Sequence, residues 1–324
     1  MIRVDLTLLL FSVSPLYAAG ISADFAAGAK LNSAQAAAIE TAKPPVPLSD
    51  SRRLLGYYAA YPDAPQHRDK RIALILALTQ QGALGSLATH RAAHLRQDAE
   101  GYTKIKDALL ARAEKTKLPI DRSNAAWFLF PAEPDEAIKI AAENGLMYDT
   151  AVMAAQYLLG LVHPDARTSP FGRGLLDLVN DTTDPLFQFA FGDTLRTLGA
   201  QLYSESKTEW DYTTLANESL ARAAKAEPQQ TNCSFAPAAL PACGTALPPA
   251  RPPADVAALA SGEVAFHALI GCSGYAASLE WLDGPAAAVS AAKREISVRQ
   301  FDVLTAGGSP TQSLQFLTAG RKNR

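Results

Sequence analysis

The clearest structural signal in this chain lies in residues 184–203, which read DPLFQFAFGDTLRTLGAQLY. Asp184 is of a type that caps helix N-termini, and Pro185 suits the first helical position, so the pattern predicts a helix that begins here. Its large apolar residues recur every three or four positions and therefore share one face of the helix. We expect that face to belong to the core, and it carries Phe187, Phe191, Leu195, Leu198 and Leu202.

Helical patterns of the same kind continue on both sides of this segment. Alanine is abundant while valine and isoleucine are sparse, a composition that favours helix over sheet. We therefore predict an all-α fold, either an irregular helical bundle or two packed helical layers, with a Pro-rich loop region at about 229–253. The predicted helices cover residues 33–42, 69–117, 134–143, 149–161, 184–203, 209–226, 254–283, 285–305 and 309–320.

The first twenty residues have the pattern of a secretory signal peptide. Arg3 precedes a short apolar run from Leu6 to Tyr17, and small residues follow where a signal peptidase would cut. We therefore predict a periplasmic or secreted protein. The predicted organisation is a signal peptide at 1–20, a low-complexity arm at 21–48, a helical domain at 49–228, a Pro- and Cys-rich crossover at 229–253, and C-terminal helices at 254–324 that pack on the same core.

The charge balance argues against nucleic acid as a partner. The chain has 30 Lys and Arg against 32 Asp and Glu, a formal net charge of −2, whereas phosphate binding needs a concentrated basic surface. After the signal, no run of residues in the sequence has the apolar length of a membrane span. The predicted partners are a protein or a small ligand, with no nucleic acid and no membrane span after signal cleavage.

The three cysteines of the chain are Cys233, Cys243 and Cys272. An oxidising compartment favours disulfide pairing. A bond between the first two would close a short Pro-containing loop, and Cys272, in a predicted helix, would then be a small buried apolar residue. We favour that pairing, and a bond between Cys243 and Cys272 is the alternative.

Two pairs of residues have the spacing of metal ligands on helices. His90 and His94 are one turn apart, and Asp98 follows one turn later, so the three side chains would share one helix face. Glu263 and His267 have the same spacing on another predicted helix. If the two helices meet, these five side chains could form a metal site inside a helical bundle. The alternative is that the histidines are hydrogen-bonded core residues, Asp98 faces outward and the helices do not meet.

Several segments in the second half occur in an order similar to that of secreted ferritin-like domain proteins. They are Leu186 to Tyr203, the region around Cys243, residues 258–260, and Arg294 onward. The resemblance implies a helical bundle, but the chain departs from the family's ligand pattern. Gly192, Asp193 and Arg196 stand where that family's first helix needs glutamates, and Arg299 or Gln300 stands where it needs a histidine. We do not adopt the resemblance, and a diverged ferritin-like bundle is kept only as one form of the metal-binding alternative.

Two aromatic groups and one glutamate are further candidates for function. We interpret Tyr57, Tyr58 and Tyr61, and also Trp127, Phe128 and Phe130, as core residues rather than as a surface for a glycan or a partner. Glu218 could be the single buried acid of a cell-wall or glycan-acting hydrolase, although a solvated helix face is the simpler interpretation.

The motifs that would name a reaction are missing from the sequence. It contains no nucleophile elbow, no P-loop and no dinucleotide fingerprint. We therefore predict a non-enzymatic binding or scaffold role. The alternatives are a helical-bundle metal-binding protein or metalloenzyme, and a hydrolase acting on cell walls or glycans. The sequence leaves the catalytic residues, the ligand and the cofactor unknown.

Overall fold

The structure, a computed structural model, describes residues 19–42, 47–60, 65–80, 98–163, 165–203, 212–225, 259, 262–306 and 309–320. The chain divides into two compact units, Met1–Glu133 and Pro134–Arg324. Most of the described residues are helical, as the sequence predicts, and the second unit also contains a small sheet. Within the described residues, we find no helix with the length and apolar character of a membrane span.

The described part of the first unit consists of six helices. They are α1 (Ala19–Gly28), α2 (Ser33–Glu40), α3 (Leu48–Ala60), α4 (Pro65–Gln80), α5 (Ala99–Thr116) and α6 (Pro119–Leu129). The local sequence explains where several of these helices begin. Asn32 and Gln35 form a capping box at α2, Asp98 caps α5, and Pro119 lies in the first turn of α6.

Two apolar clusters stabilise the first unit. The larger joins α3, α4, α5 and α6, and its most buried members are Leu55, Ile75, Ile105 and Phe128. The smaller contains Leu31, Ala36, Leu54, Tyr57 and Tyr58. Residues 21–48, the predicted arm, thus include two helices, and Leu31 and Ala36 from this stretch are buried.

The close approach of α1 and α3 depends on glycine. A Cβ on Gly28 would lie 1.9 Å from the carbonyl oxygen of Arg53, and one on Gly56 would lie 2.2 Å from that of Phe25. Both distances are far shorter than a carbon–oxygen contact allows, so any side chain at either position would force the two helices apart.

Four of the five described helices of the second unit lie close to predicted helices, whereas the helix at 170–181 was not predicted. They are α7 (Pro134–Glu143), α8 (Met147–Leu158), α9 (Pro170–Asp181), α10 (Pro185–Tyr203) and α11 (Tyr212–Lys225). Asp184 Oδ1 accepts the Phe187 N–H at 2.9 Å, which confirms the predicted cap. Phe187 and Phe191 stack with ring centroids 6.1 Å apart, and both are buried. The apolar face of α10 is therefore core, as predicted.

In the C-terminal part of the second unit, strands lie where helices were predicted at 254–283 and 309–320, whereas the helix predicted at 285–305 is confirmed in part, by a helix at 289–297. The elements of this part are β1 (Val264–Ile270), β2 (Ala276–Asp283), α12 (Val289–Ser297), β3 (Leu304–Ala306), β4 (Ser309–Thr311) and β5 (Ser313–Ala319). The first, second and fifth strands form an antiparallel sheet in the order β2-β1-β5, and β3 pairs with β4. The fold is thus mostly helical rather than all-α.

The central strand explains this error. Every residue of β1, VAFHALI, is buried, so the strand shows no alternation of apolar and polar residues. A short apolar run of this kind looks the same whether it forms a buried strand or part of a buried helix. One face of the sheet packs on α12 through Val264, Phe266, Ala292 and Ile296, and His267 lies on the opposite face.

The structure also corrects the assignment of Cys272. This residue lies in the turn between β1 and β2 rather than in a helix, and it is disulfide-bonded. The prediction of an unpaired Cys272 is therefore wrong. Cys233 and Cys243, together with the whole predicted crossover at 229–253, lie outside the described residues, so the boundary predicted there stays a prediction.

Candidate functional site

A groove in the first unit is the main candidate site. It lies between α4 and α5 and has a volume of about 210 Å³. Four of its residues are charged, and the others are apolar or glycine. The groove is lined by Arg68, Asp69, Ile72, Ala73, Leu76, Glu100, Gly101 and Lys104.

The spacing of residues on α4 explains which side chains of this helix line the groove. Arg68, Ile72 and Leu76 are each four positions apart and therefore lie on one face of the helix. Opposite them, Gly101 lies in the first turn of α5. A Cβ at Gly101 would lie 2.8 Å from Ile72 Cδ1 and 2.6 Å from Asp98 Oδ2, so any other residue there would require these two side chains to shift.

The rim of the groove carries charges of both signs. Arg68 and Lys104 are cationic, and Asp69 and Glu100 are exposed carboxylates. Arg68 donates from Nε to Asp98 Oδ2 at 2.5 Å and from Nη2 to Asp98 Oδ1 at 2.7 Å, a bidentate arrangement. The hydrogen bonds from Arg68 hold the pKa of Asp98 below its ordinary value, while burial acts in the opposite direction.

Arg71, one helical turn after Arg68, is in a very different environment. It is only 3% exposed, and its Nε and Nη1 atoms have no hydrogen-bond partner within the part of the chain that the structure describes. Burial lowers the pKa of Arg71, and the charge of Asp98 partly offsets that effect. A buried guanidinium with unmet donors is energetically unfavourable and is rare in folded proteins.

The predicted metal ligands near this site are only partly described. Asp98 caps α5 through the Gly101 N–H at 3.0 Å and binds Arg68. His90 and His94 lie outside the described residues, so their role as metal ligands stays a prediction. Among the residues that are described, no three His, Cys, Asp or Glu side chains are grouped to hold a metal ion.

The second predicted pair of ligands is not on a helix. Glu263 precedes β1, and His267 is the fourth residue of that strand. Four residues of strand span about 13 Å, whereas four residues of helix span about 6 Å. The prediction that Glu263 and His267 lie one helical turn apart is therefore wrong, because the segment is extended.

His267 instead belongs to a polar cluster between α8 and the sheet. Its Nδ1 atom lies 3.3 Å from Glu280 Oε1, and Glu280 Oε2 accepts the Tyr148 backbone N–H at 3.0 Å. The Tyr148 ring packs on the imidazole with centroids 4.3 Å apart. The side chains of His267 and Glu280 are 6% and 9% exposed.

This cluster has a clear structural role. Leu146, at the N-cap of α8, has no side-chain acceptor to offer, and Glu280 supplies the missing acceptor from β2. A carboxylate at a helix N-terminus is also favoured by the helix dipole. Burial raises the pKa of Tyr148, and the carboxylates of Asp149, Asp193 and Glu280 add to that shift. Glu280, on β2, thus contacts both the first turn of α8 and His267 of β1.

The remaining candidates behave as structural residues. Tyr57, Tyr58, Phe128 and Phe130 are buried, which confirms their interpretation as core, whereas Trp127 is only half-buried and Tyr61 lies outside the described residues. The Glu218 side chain is 57% exposed on α11, at 3.9 Å from Arg222. That position is the solvated helix face of the simpler interpretation rather than the buried acid of a hydrolase.

Sequence reasoning missed the four charged residues that line the groove, and also Arg71, Tyr148 and Glu280. The groove had one signal in the sequence, because Arg68, Ile72 and Leu76 recur at helical spacing and so share a helix face. Arg71 likewise lies in the same helical turn as apolar residues that form the core, which indicates that it is buried. Glu280 had no such signal, because its partner Tyr148 is 132 positions away in the chain.

Comparison with known proteins adds nothing to this picture. No protein-family model, curated protein or solved structure matches the chain.

Proposed function

We propose that this chain is an exported, non-enzymatic binding protein and that the groove between α4 and α5 holds its ligand. The observation that carries the proposal is the shape and lining of that groove. Ligand sites are typically concave and mostly apolar, with a few polar groups that fix the orientation of the ligand. The floor of Ile72 and Leu76 beneath the charged rim has this composition.

The size of the groove favours a small molecule as the ligand. Its volume of about 210 Å³ is smaller than the roughly 300–1,000 Å³ of sites for drug-sized ligands. The rim offers cations from Arg68 and Lys104 and carboxylates from Asp69 and Glu100. These charges complement a zwitterion with an apolar side group, of which a free apolar amino acid is the simplest example.

The proposal of export rests on the signal-peptide pattern of residues 1–20. A disulfide at Cys272 fits an oxidising compartment, in which such bonds persist. The metal-binding alternative depends on His90 and His94 and remains a prediction. No contact among the described residues favours the hydrolase alternative.

Filling the groove tests the proposal. Ala73 is exposed and lines the groove, whereas Ala77 is exposed one turn later on the same helix and does not line it. In a ligand-detected NMR screen of free amino acids, we expect an apolar amino acid to bind the native protein. Ala73→Phe should weaken that binding by at least about tenfold, equivalent to about 1.4 kcal/mol, and Ala77→Phe should leave it unchanged.

Two outcomes would contradict this proposal. One is that no amino acid binds the native protein. The other is that Ala73→Phe and Ala77→Phe bind the same amino acid as tightly as the native protein does, which would place the ligand elsewhere. Circular dichroism and urea unfolding of both variants would confirm that α4 is intact.

A further inference from the structure

We propose that Arg71 is the centre of a binding site for a small oxyanion near Asp98, at the start of α5. Phosphate, sulfate and carboxylate share the chemistry that this site requires, which is a compact group of anionic oxygens. The site is separate from the groove, because Arg71 is not among the groove's lining residues. Either proposal can therefore fail while the other stands.

The first argument is the unmet bonding capacity of Arg71. A guanidinium carries five N–H donors in a fixed plane and stays protonated in proteins. In Arg71, Nε and Nη1 are enclosed, and within the described residues neither has an acceptor. Buried charges are normally paired, because an unpaired one loses its hydration without compensation. An oxyanion that accepts two N–H bonds from the guanidinium would meet this need.

The second argument is that the nearest carboxylate is already engaged. Asp98 Oδ1 accepts from Arg68 Nη2 at 2.7 Å and from the Gly101 N–H at 3.0 Å, and Oδ2 accepts from Arg68 Nε at 2.5 Å. The two guanidinium groups of Arg68 and Arg71 thus share one partly buried carboxylate. Glu100 also contacts Arg68, but its side chain is 87% exposed.

The third argument comes from the composition of the segment that connects α4 to Asp98. Residues 81–97, which connect α4 to Asp98, contain no Asp or Glu, whereas they do contain Arg91 and Arg96. The connecting sequence therefore has no carboxylate to offer Arg71. The positive end of the α5 dipole adds a further preference for an anion at this position.

The test uses the full chain and inorganic phosphate, with chloride at matched ionic strength as the reference. We expect the native protein to gain thermal stability as phosphate is added, with a shift that saturates. Arg71→Met should abolish this shift. Arg71→Lys keeps the charge but loses the planar fork, so its affinity for phosphate should fall by about tenfold.

Arg122→Met is the matched control, because it removes one positive charge from a partly exposed position in the same unit. It should keep the full phosphate response. In chloride, Arg71→Met should be at least as stable as the native protein, since replacing an unpaired buried charge with an apolar side chain removes an unfavourable interaction.

The proposal is overturned if the native protein shows no shift beyond that of chloride. It is also overturned if Arg71→Met responds to phosphate as the native protein does, since the anion would then bind elsewhere. Should Arg71→Met fail to fold, the comparison of Arg71→Lys with Arg122→Met still decides, because equal phosphate affinity in these two variants contradicts the proposal. The amino acid screen of the groove is read independently of these results.

Discussion

At the scale of single residues, Asp98 shows how one carboxylate can serve two partners. It caps α5 at Gly101 and forms a bidentate pair with Arg68. Asparagine keeps the cap but loses the charge, whereas alanine loses both. At neutral pH we expect Asp98→Asn to lower the free energy of unfolding by about 1 kcal/mol, a modest value because Arg68 is one third exposed. Asp98→Ala should lower it by about 1 kcal/mol more.

The pH dependence of these variants checks the role of the charge. The pKa of Asp98 is lowered from its ordinary value of 3.8, mainly by the hydrogen bonds from Arg68. A lowered pKa in the folded state stabilises the protein above the unfolded-state pKa, and this stabilisation is lost as the pH falls through the folded-state pKa. In urea unfolding, the gap between native protein and Asp98→Asn should therefore narrow below about pH 4. A gap that stays constant down to pH 2 would contradict this role.

At the scale of elements, substitutions of Glu280 would test whether a side chain on a strand stabilises the start of a helix. Glu280 lies on β2 and accepts the Tyr148 N–H at the start of α8, where Leu146 has no acceptor. Glu280→Ala removes this cap, leaves the buried Tyr148 N–H without its acceptor and removes the carboxylate beside His267, so it should cost about 2–3 kcal/mol of stability. Glu280→Gln keeps an acceptor oxygen and should cost less. Urea unfolding measures both variants.

The matched control for Glu280 is Glu295→Ala. Glu295 is an exposed residue of α12 that forms an ion pair with Arg299, so its loss should change stability by no more than about 0.5 kcal/mol. Equal effects of Glu280→Ala and Glu295→Ala would show that the buried acceptor contributes nothing to α8.

The elements also show what local sequence can predict. The helix at 185–203 was predictable because its cap, its proline and its apolar face are all encoded within twenty residues. The strand at 264–270 was not, because its burial comes from β2 and β5 along its two edges and from α12 and α10 on its faces, none of which the local pattern reveals. Both candidate sites depend on such distant contacts. Arg68 meets Asp98 across 30 residues, and Glu280 meets Tyr148 across 132.

At the scale of the whole molecule, the disulfide at Cys272 links the sheet to a distant part of the chain. The other cysteines, Cys233 and Cys243, both precede β1 in the predicted Pro-rich crossover. Either partner would close a loop of roughly 30 to 40 residues, and a cross-link of that size typically stabilises a fold by about 3–4 kcal/mol. We therefore expect Cys272→Ser to lower the free energy of unfolding by an amount of this order.

The disulfide at Cys272 can be tested without knowing which of the other two cysteines is its partner. Peptide mapping under non-reducing conditions should find Cys272 in a cross-linked pair, and titration of the unfolded protein should find one free thiol per chain. A reducing agent should lower the urea midpoint of the native protein and leave that of Cys272→Ser unchanged, because the variant has lost the bond that reduction would break. A free Cys272 in the map, with Cys233 bound to Cys243, would instead restore the pairing that the sequence alone favours.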